Sequence, residues 1–346
     1  MGLFSELKLA VPWGHIAAKV WGSQQGLPVL CLHGWLDNAN SFDRLIPLLP
    51  KDFQYVAMDF GGHGLSSHYS PGFPYYQQNF VSEIRRVTAA LKWNRFSLMG
   101  HSFGWGEQEA GDVSGEGRAS SHHQCHWLVP VCGCTAVAAS AREFSCLFPE
   151  MVDKLILLDS SPLTLDTKEI SNLLTYKRKA IEHMLQVEAS KKPRQVVGPE
   201  EMLQGLLKNN HHVGEECGKL LLQRGATQEA AGLVLNRDRR ITWPQHCLEF
   251  ISRELFVHAI RKLQARVLLI KATQGYYDVR RENDADRDFI LFLNGMLTSV
   301  LKERFQFVEV PGNHYIHMNQ PQLVAGLISS FLQSREKTPD QPEPRA

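Results

Sequence analysis

The sequence predicts an α/β fold: a mostly parallel central sheet flanked by helices, with a helical cap. Three observations carry this. Short apolar runs alternate with amphipathic helical segments, the pattern of a sheet whose strands are buried on both faces. The runs stop abruptly at glycine or aspartate, as strands do where they turn into loops. Between residues 160 and 263 no strand-like run occurs, only polar-flanked helical segments such as KEISNLLTYKRKAIEHMLQVEAS. That stretch is too long for a simple crossover and reads as a cap.

In order, LPVLCLHG (27–34) is a buried strand ending at a glycine, and FQYVAMDF (53–60) is a second, ending at Asp59. Residues 77–93 predict a helix, with Phe80, Val81, Ile84, Val87 and Leu91 on one stripe. FSLMG (96–100) and KLILLD (154–159) are the next strands. RVLLIKA (266–272) comes after the cap, then a helix over 285–302, the strand FQFVEV (305–310) and a closing helix. Asn319 is placed to cap that last helix and Pro321 suits its first turn. Leu323, Val324, Leu327, Ile328, Phe331 and Leu332 face inward. The core therefore spans 1–159 and 264–336, the cap 160–263, and the Pro-rich, charged tail 337–346 is expected to be disordered.

Composition excludes several function classes. Of 346 residues, 43% are hydrophobic and 21% charged, ordinary for a soluble globular protein, and a net charge of +1 offers nothing to nucleic acid or an anionic membrane. No apolar run approaches the ~20 residues that a membrane span needs. The seven cysteines are odd in number, and Cys31, Cys217 and Cys247 sit in apolar or helical runs, which favours reduced thiols over a secreted disulfide framework. MGLFSELKLAVPWG lacks the pattern of a signal peptide, and Glu6 stands where a myristoylation motif wants Ser or Thr. The C-terminal PRA is not a peroxisomal address. The expectation is a cytoplasmic protein that is not secreted.

The chemistry starts at GHSFG (100–104), a G-x-S-x-G sequence directly after a strand. Such a turn presents its serine, here Ser102, in a strained conformation that small flanking residues make possible. By itself the pattern also fits an ordinary strand-ending turn. A serine hydroxyl is a weak nucleophile, so an imidazole must take its proton and a carboxylate must fix the imidazole's tautomer. VLLIKATQGYYD supplies Asp278 past a buried strand, and FQFVEVPGNHYIHMNQP supplies His314 past the last one. The order Ser102, Asp278, His314 is that of a Ser–Asp–His hydrolase. His317 is the alternative base and Asp159, at the end of a strand, the alternative acid. A turn or cap is the plainer reading of Asp159, and Asp284 and Asp286 read as solvated charges. The backbone N–H groups of Trp35, in HGW after the first strand, and Phe103 are the natural oxyanion donors. DFGGHGLSS (59–67) fits neither phosphate-loop spacing, so nucleotide binding is set aside.

Together HGW, DFGGHGLSS, GHSFG, FPEMVDKLILLD and EVPGNHYIHMNQP resemble the α/β-hydrolase fold, and most resemble the mammalian serine hydrolase-like proteins. The likeness runs from residue 5 to about 335, apart from one block. It implies a serine hydrolase of unassigned substrate, in the cytoplasm and near or in peroxisomes. Haloalkane dehalogenases and epoxide hydrolases share the fold but attack with an aspartate. Ser102 at the elbow argues instead for a small-molecule ester, thioester or amide, with no cofactor, no metal and no identified protein partner.

The block that departs is 105–146. In this fold the elbow serine opens directly into a helix of small and apolar residues. Here Gly106, Gly111, Gly115 and Gly117 each cost a helix about 1 kcal/mol relative to alanine, and Pro130 and Gly133 interrupt the more apolar stretch beyond them. The expected outcome is an insertion that loops out, with residues 135–148 docking as a substitute helix. His122, His123, Cys125, His126, Cys132, Cys134 and Cys146 are ligand-type residues, but their spacing matches no familiar zinc pattern. The insertion predicts weakened or absent turnover, which leaves a binding or interaction module as the rival function. Tyr176, Trp243 and Phe256 are candidate linings of an acyl pocket, with core packing the plainer role for each.

Overall fold

The computed structural model describes residues 3–102, 136–160, 173–190, 193–242, 252–275 and 287–334. Eight strands form its main sheet: β1 (Ser5–Val11), β2 (Gly14–Trp21), β3 (Leu27–Leu32), β4 (Phe53–Met58), β5 (Phe96–His101), β6 (Val152–Leu158), β9 (Arg266–Gln274) and β10 (Phe305–Asn313). Their order across the sheet is β1-β2-β4-β3-β5-β6-β9-β10. β2 pairs antiparallel with β1 and β4, and every pairing from β4 through to β10 is parallel.

The central strands are apolar on both faces, and alternate residues go to opposite sides. Leu30, Leu32, Val56, Met58, Leu98, Leu155, Leu157, Val267 and Leu269 enter one core. Val29, Cys31, Tyr55, Ala57, Met99, Ile156, Leu158, Leu268 and Ile270 enter the other. Helix α1 (Gln77–Ala90) covers the first face with the predicted stripe of Phe80, Val81, Ile84 and Val87. The final helix, Gln322–Gln333, covers the second with Val324, Ala325, Ile328, Phe331 and Leu332.

Helix α2 (Ala136–Leu147) lies on the first face beside β5. Phe144 is fully buried with its ring 5.8 Å from that of Phe96, and Gln77 of α1 donates to Glu143 at 2.6 Å. Burial pushes the Cys146 thiol up to about 11, so this sulfur stays a thiol. The rest of the predicted insertion, including the other histidines and cysteines, lies outside the described residues, as do Cys247, Asp284 and Asp286.

Three features differ from the sequence reading. The chain starts with the β1–β2 hairpin, which adds two strands to the sheet ahead of 27–34. Between β6 and β9 the helices α3 (Leu173–Ala189), α4 (Pro199–Asn209), α5 (Glu215–Gly225) and α6 (Arg253–Lys262) are joined by a second hairpin, β7 (Ala226–Glu229) and β8 (Gly232–Leu235), where only helices are expected. The final helix begins after Pro321 with no side-chain cap. Asn319 instead donates to the His212 carbonyl at 2.8 Å and accepts from the Gly214 N–H at 3.1 Å, tying this end of the sheet to the segment between α4 and α5. Helix α7 (Arg287–Leu301) and a short turn of helix, α8 (Ile316–Asn319), are the described α-helices between β9 and the final helix, α9. No helix among the described residues is long and apolar enough to cross a membrane.

The packing of α2 is testable. Phe144→Ala is expected to lower the free energy of unfolding by ~3–5 kcal/mol, read from urea denaturation. Leu147→Ala, on the exposed side of the same helix, should change it by no more than ~0.5 kcal/mol.

Candidate active site

Each central side chain is the first residue after a parallel strand. Ser102 follows β5, Asp159 follows β6 and His314 follows β10. Because the strands are parallel, their ends open at one edge of the sheet, where open α/β sheets place their ligands. Main-chain bonds bring these ends together: the Ser102 N–H donates to Leu158 O at 3.0 Å, and the Asp159 N–H to Ile270 O at 2.7 Å. Ser102 has φ 72° and Asp159 φ 41°, both in the left-handed region that costs a residue with a Cβ about 1–2 kcal/mol. At Ser102 this strained conformation is the one that the G-x-S-x-G turn predicts.

The Ser102 hydroxyl lies 2.6 Å from His314 Nε2, and His314 Nδ1 lies 2.5 Å from Asp159 Oδ2. A carboxylate accepts, so the imidazole proton sits on Nδ1 and Nε2 is left bare to receive the serine proton. His317, the alternative base, is buried against the His101 ring, with centroids 3.8 Å apart. Neither of its ring nitrogens has a hydrogen-bond partner among the described residues, and burial with the nearby His314 pushes it down to about 3.

The sequence reading prefers Asp278 as the acid. The structure puts Asp159 on His314, and Asp278 lies outside the described residues. Two neighbours from β9 explain why Asp159 suits the place. Lys271 Nζ donates to its Oδ1 at 2.7 Å, and the Ala272 N–H donates to the same oxygen at 3.0 Å. Burial alone would raise the Asp159 carboxyl; the charge of Lys271 and the bond from His314 outweigh it and hold the group well below the usual carboxylate range. Gly275 is part of the fit, because a Cβ there would fall 2.4 Å from Asp159 Oδ2. Lys271 left one visible signal in the sequence: a charge inside the apolar run 266–272.

The loop after β3 closes the other side. His33 donates from Nδ1 to Gly34 O at 2.7 Å and accepts from the Phe60 N–H at 3.2 Å, binding this loop to the end of β4. Gly34 leaves no room for a side chain, since a Cβ would lie 3.1 Å from that of Ser102. Trp35 comes next, its ring edge-on to His63 and Phe80, and nothing among the described residues bonds its backbone N–H. Phe103, the other expected oxyanion donor, lies outside the described residues. So do Trp243 and the Tyr176 side chain; Phe256 is packed in the core, with the Arg142 guanidinium over its ring.

The segment between β6 and β9 reaches His314 directly. The His314 N–H donates to His212 Nδ1 at 3.2 Å, and Asn313 donates to the His212 carbonyl at 2.9 Å. Farther along, Arg224 of α5 donates to Asp59 Oδ2 at 2.7 Å, a buried pair that fixes α5 over the end of β4.

Comparison with known proteins agrees with this architecture. Residues 28–104 match the family profile described as alpha/beta hydrolase fold. A mouse protein named Serine hydrolase-like protein is 63% identical over 338 residues, covering 97% of this chain and 98% of that one. The chain belongs to the serine hydrolase-like family of α/β-hydrolase-fold proteins. A second member, the human Serine hydrolase-like protein 2, is 62% identical over 340 residues, 98% of each chain. Among solved structures, a hypothetical protein from Pseudomonas aeruginosa PAO1 superposes with a TM-score of 0.72 at 25% identity, covering 94% of this chain and 99% of that one. The thioesterase domain from the curacin biosynthetic pathway shares the fold, with a TM-score of 0.69 at 21% identity and coverage of 94% and 99%. Family and fold together support a hydrolase.

The Lys271–Asp159 pair predicts a pH dependence. With its pKa depressed on folding, Asp159 adds stability that is fully present above its ordinary value of 3.8 and is lost as the pH falls through the folded value. Lys271→Met removes the main opposing charge, so burial then raises the carboxyl. The variant should lose ~3 kcal/mol at about pH 7, and its stability should begin to change with pH at a higher pH than that of the wild type. Urea midpoints taken from about pH 4 to about pH 7 check this; parallel curves for the two proteins would refute it.

Proposed function

We propose that this chain is a serine hydrolase that cleaves an ester, thioester or amide bond of a small molecule through an acyl-enzyme. The observation that carries the reading is the unbroken chain from the Ser102 hydroxyl to His314 at 2.6 Å and on to Asp159 at 2.5 Å, on a serine held at positive φ. In the first step Ser102 Oγ attacks the substrate carbonyl while His314 Nε2 takes its proton. Asp159 steadies the imidazolium through Nδ1. The developing oxyanion receives the N–H groups of Trp35 and Phe103. His314 then gives its proton to the leaving alcohol, thiol or amine. In the second step it activates water against the acyl group, which restores Ser102. These steps need no cofactor. Residues 160–263 act as a cap that shapes the acyl pocket, and the contacts of Asn210 and His212 with the His314 loop support that role.

Covalent labelling by a fluorophosphonate probe tests the proposal. Labelling is expected in the wild type and abolished in Ser102→Ala. Against the best carboxyl ester found for the wild type, His314→Ala should lower kcat by at least about a thousandfold. Asp159→Asn should lower it by about ten-thousandfold, the effect of holding the wrong tautomer, while Asp278→Asn stays within about threefold of wild type. A folded wild-type chain that does not label would overturn the reading and favour the binding-module alternative.

A further inference from the structure

Resting on that reading of Ser102 and His314, we infer that His101, the residue between Gly100 and the nucleophile, is a positioning residue for the base. It spans the gap between the nucleophile's strand and the base's loop through a bond from its Nε2–H to the main-chain carbonyl of His314. The two atoms are 3.0 Å apart, and a carbonyl only accepts, so the His101 proton must lie on Nε2. His101 is the last residue of β5 and is fully buried, hence it moves with the sheet. The result is a second link between the two halves of the site, parallel to the one from Ser102 to the His314 ring.

A histidine that donates from Nε2 must hold one tautomer, and its surroundings impose it. Burial, reinforced by His317 and His314, keeps His101 well below its ordinary pKa, so the ring stays neutral. The His317 ring lies against it with centroids 3.8 Å apart. On the other side, His101 Nδ1 faces Asp37 Oδ2 at 3.8 Å, and neither atom has a hydrogen-bond partner among the described residues. Asp37 Oδ1 is occupied by the Tyr315 hydroxyl at 3.1 Å, and that hydroxyl accepts from Asn210 at 2.8 Å. Burial pushes Asp37 up to about 7 against the Tyr315 bond, so near neutrality the carboxyl is divided between its protonated and charged forms. In the protonated form a proton on Oδ2 points toward the bare Nδ1 lone pair and reinforces this tautomer; in both forms the tautomer rests on the bond to the His314 carbonyl. Gly34 makes the approach possible, since a Cβ there would be 2.8 Å from Asp37 Oδ2 and 3.0 Å from His101 Nδ1.

The alternative is that His101 simply fills space. Two substitutions separate the roles. His101→Leu removes the donor, whereas His101→Gln keeps an amide N–H at a similar reach. Loss of the link should shift the base by a fraction of an ångström, and a misplacement near 1 Å can cost about a hundredfold in rate. His101→Leu is therefore expected to lower kcat by about ten- to a hundredfold with KM within about threefold. His101→Gln should recover most of that loss. Wild-type kcat in a folded His101→Leu variant, or equal loss in both variants, would overturn the inference.

A second measurement needs neither variant to be active. In ¹⁵N-histidine-labelled wild type, long-range ¹H–¹⁵N spectra should show His101 as the Nε2–H tautomer, unchanged from about pH 6 to about pH 8. The resonance is assigned by its absence in His101→Gln. Should His101→Gln not fold, the resonance is assigned instead by ring-to-ring nuclear Overhauser contacts with His317, whose ring centroid lies 3.8 Å away. An Nδ1–H signature, or a ring that titrates in that range, would overturn the inference. Should the wild type prove inert to the fluorophosphonate, the hydrolase reading fails by that result alone, and the spectrum still decides whether the contact exists.

Discussion

The Asp159 carboxylate turns the ends of three strands into one site. It lies fully buried at the end of β6, receiving His314 from the loop after β10 on one oxygen and Lys271 and the Ala272 N–H from β9 on the other. A carboxylate so placed would take up a proton if it stood alone, because burial penalises its charge. Lys271 keeps it charged. A charged acceptor at Nδ1 then sets the His314 tautomer and leaves Nε2 free for Ser102. The arrangement depends on a near approach of main chain to carboxylate that only a glycine at 275 permits.

Strain at the elbow is held by the same part of the sheet. Ser102 sits at positive φ, yet its N–H is bonded to β6 and the residues before it are buried on both faces. The two layers of packed side chains over-determine the position of β5, so the turn after it has little freedom to relax. This is how a sheet can carry a locally unfavourable backbone at its functional edge.

His314 is supported through its main chain as much as through its ring. Its N–H is held by His212 and its carbonyl by His101. One support comes from the segment between β6 and β9, the other from β5, the strand that leads into Ser102. Asn319 and Asn313 extend the first contact, and the Arg224–Asp59 pair anchors the same segment at a second point. Displacement of that segment would therefore be felt at His314, although no side chain of the segment hydrogen-bonds the Ser102 hydroxyl among the described residues.

Much of this is legible in the order of residues, and for local reasons. Strands apolar on both faces announce themselves as continuous runs, and the α1 stripe reads directly from its spacing. Ser102 and His314 stand in short motifs beside such strands, so their neighbours reveal them. The β1–β2 hairpin gives no such signal, because β1 is an edge strand whose residues alternate between exposed and half-buried, leaving no apolar run. The β7–β8 hairpin is short and β7 largely exposed, so it too lacks a hydrophobic signal. The acid is different in kind. Parallel strands deliver all their C-terminal ends to one edge, so chain order alone admits a carboxylate after either β6 or β9. The sequence determined the parallel strands β3, β4, β5, β6, β9 and β10 and set Ser102 and His314 just past the ends of two of them. Only the tertiary structure placed Asp159 on His314, because that outcome rests on a lysine, a backbone amide and a glycine more than a hundred residues away meeting one buried oxygen pair.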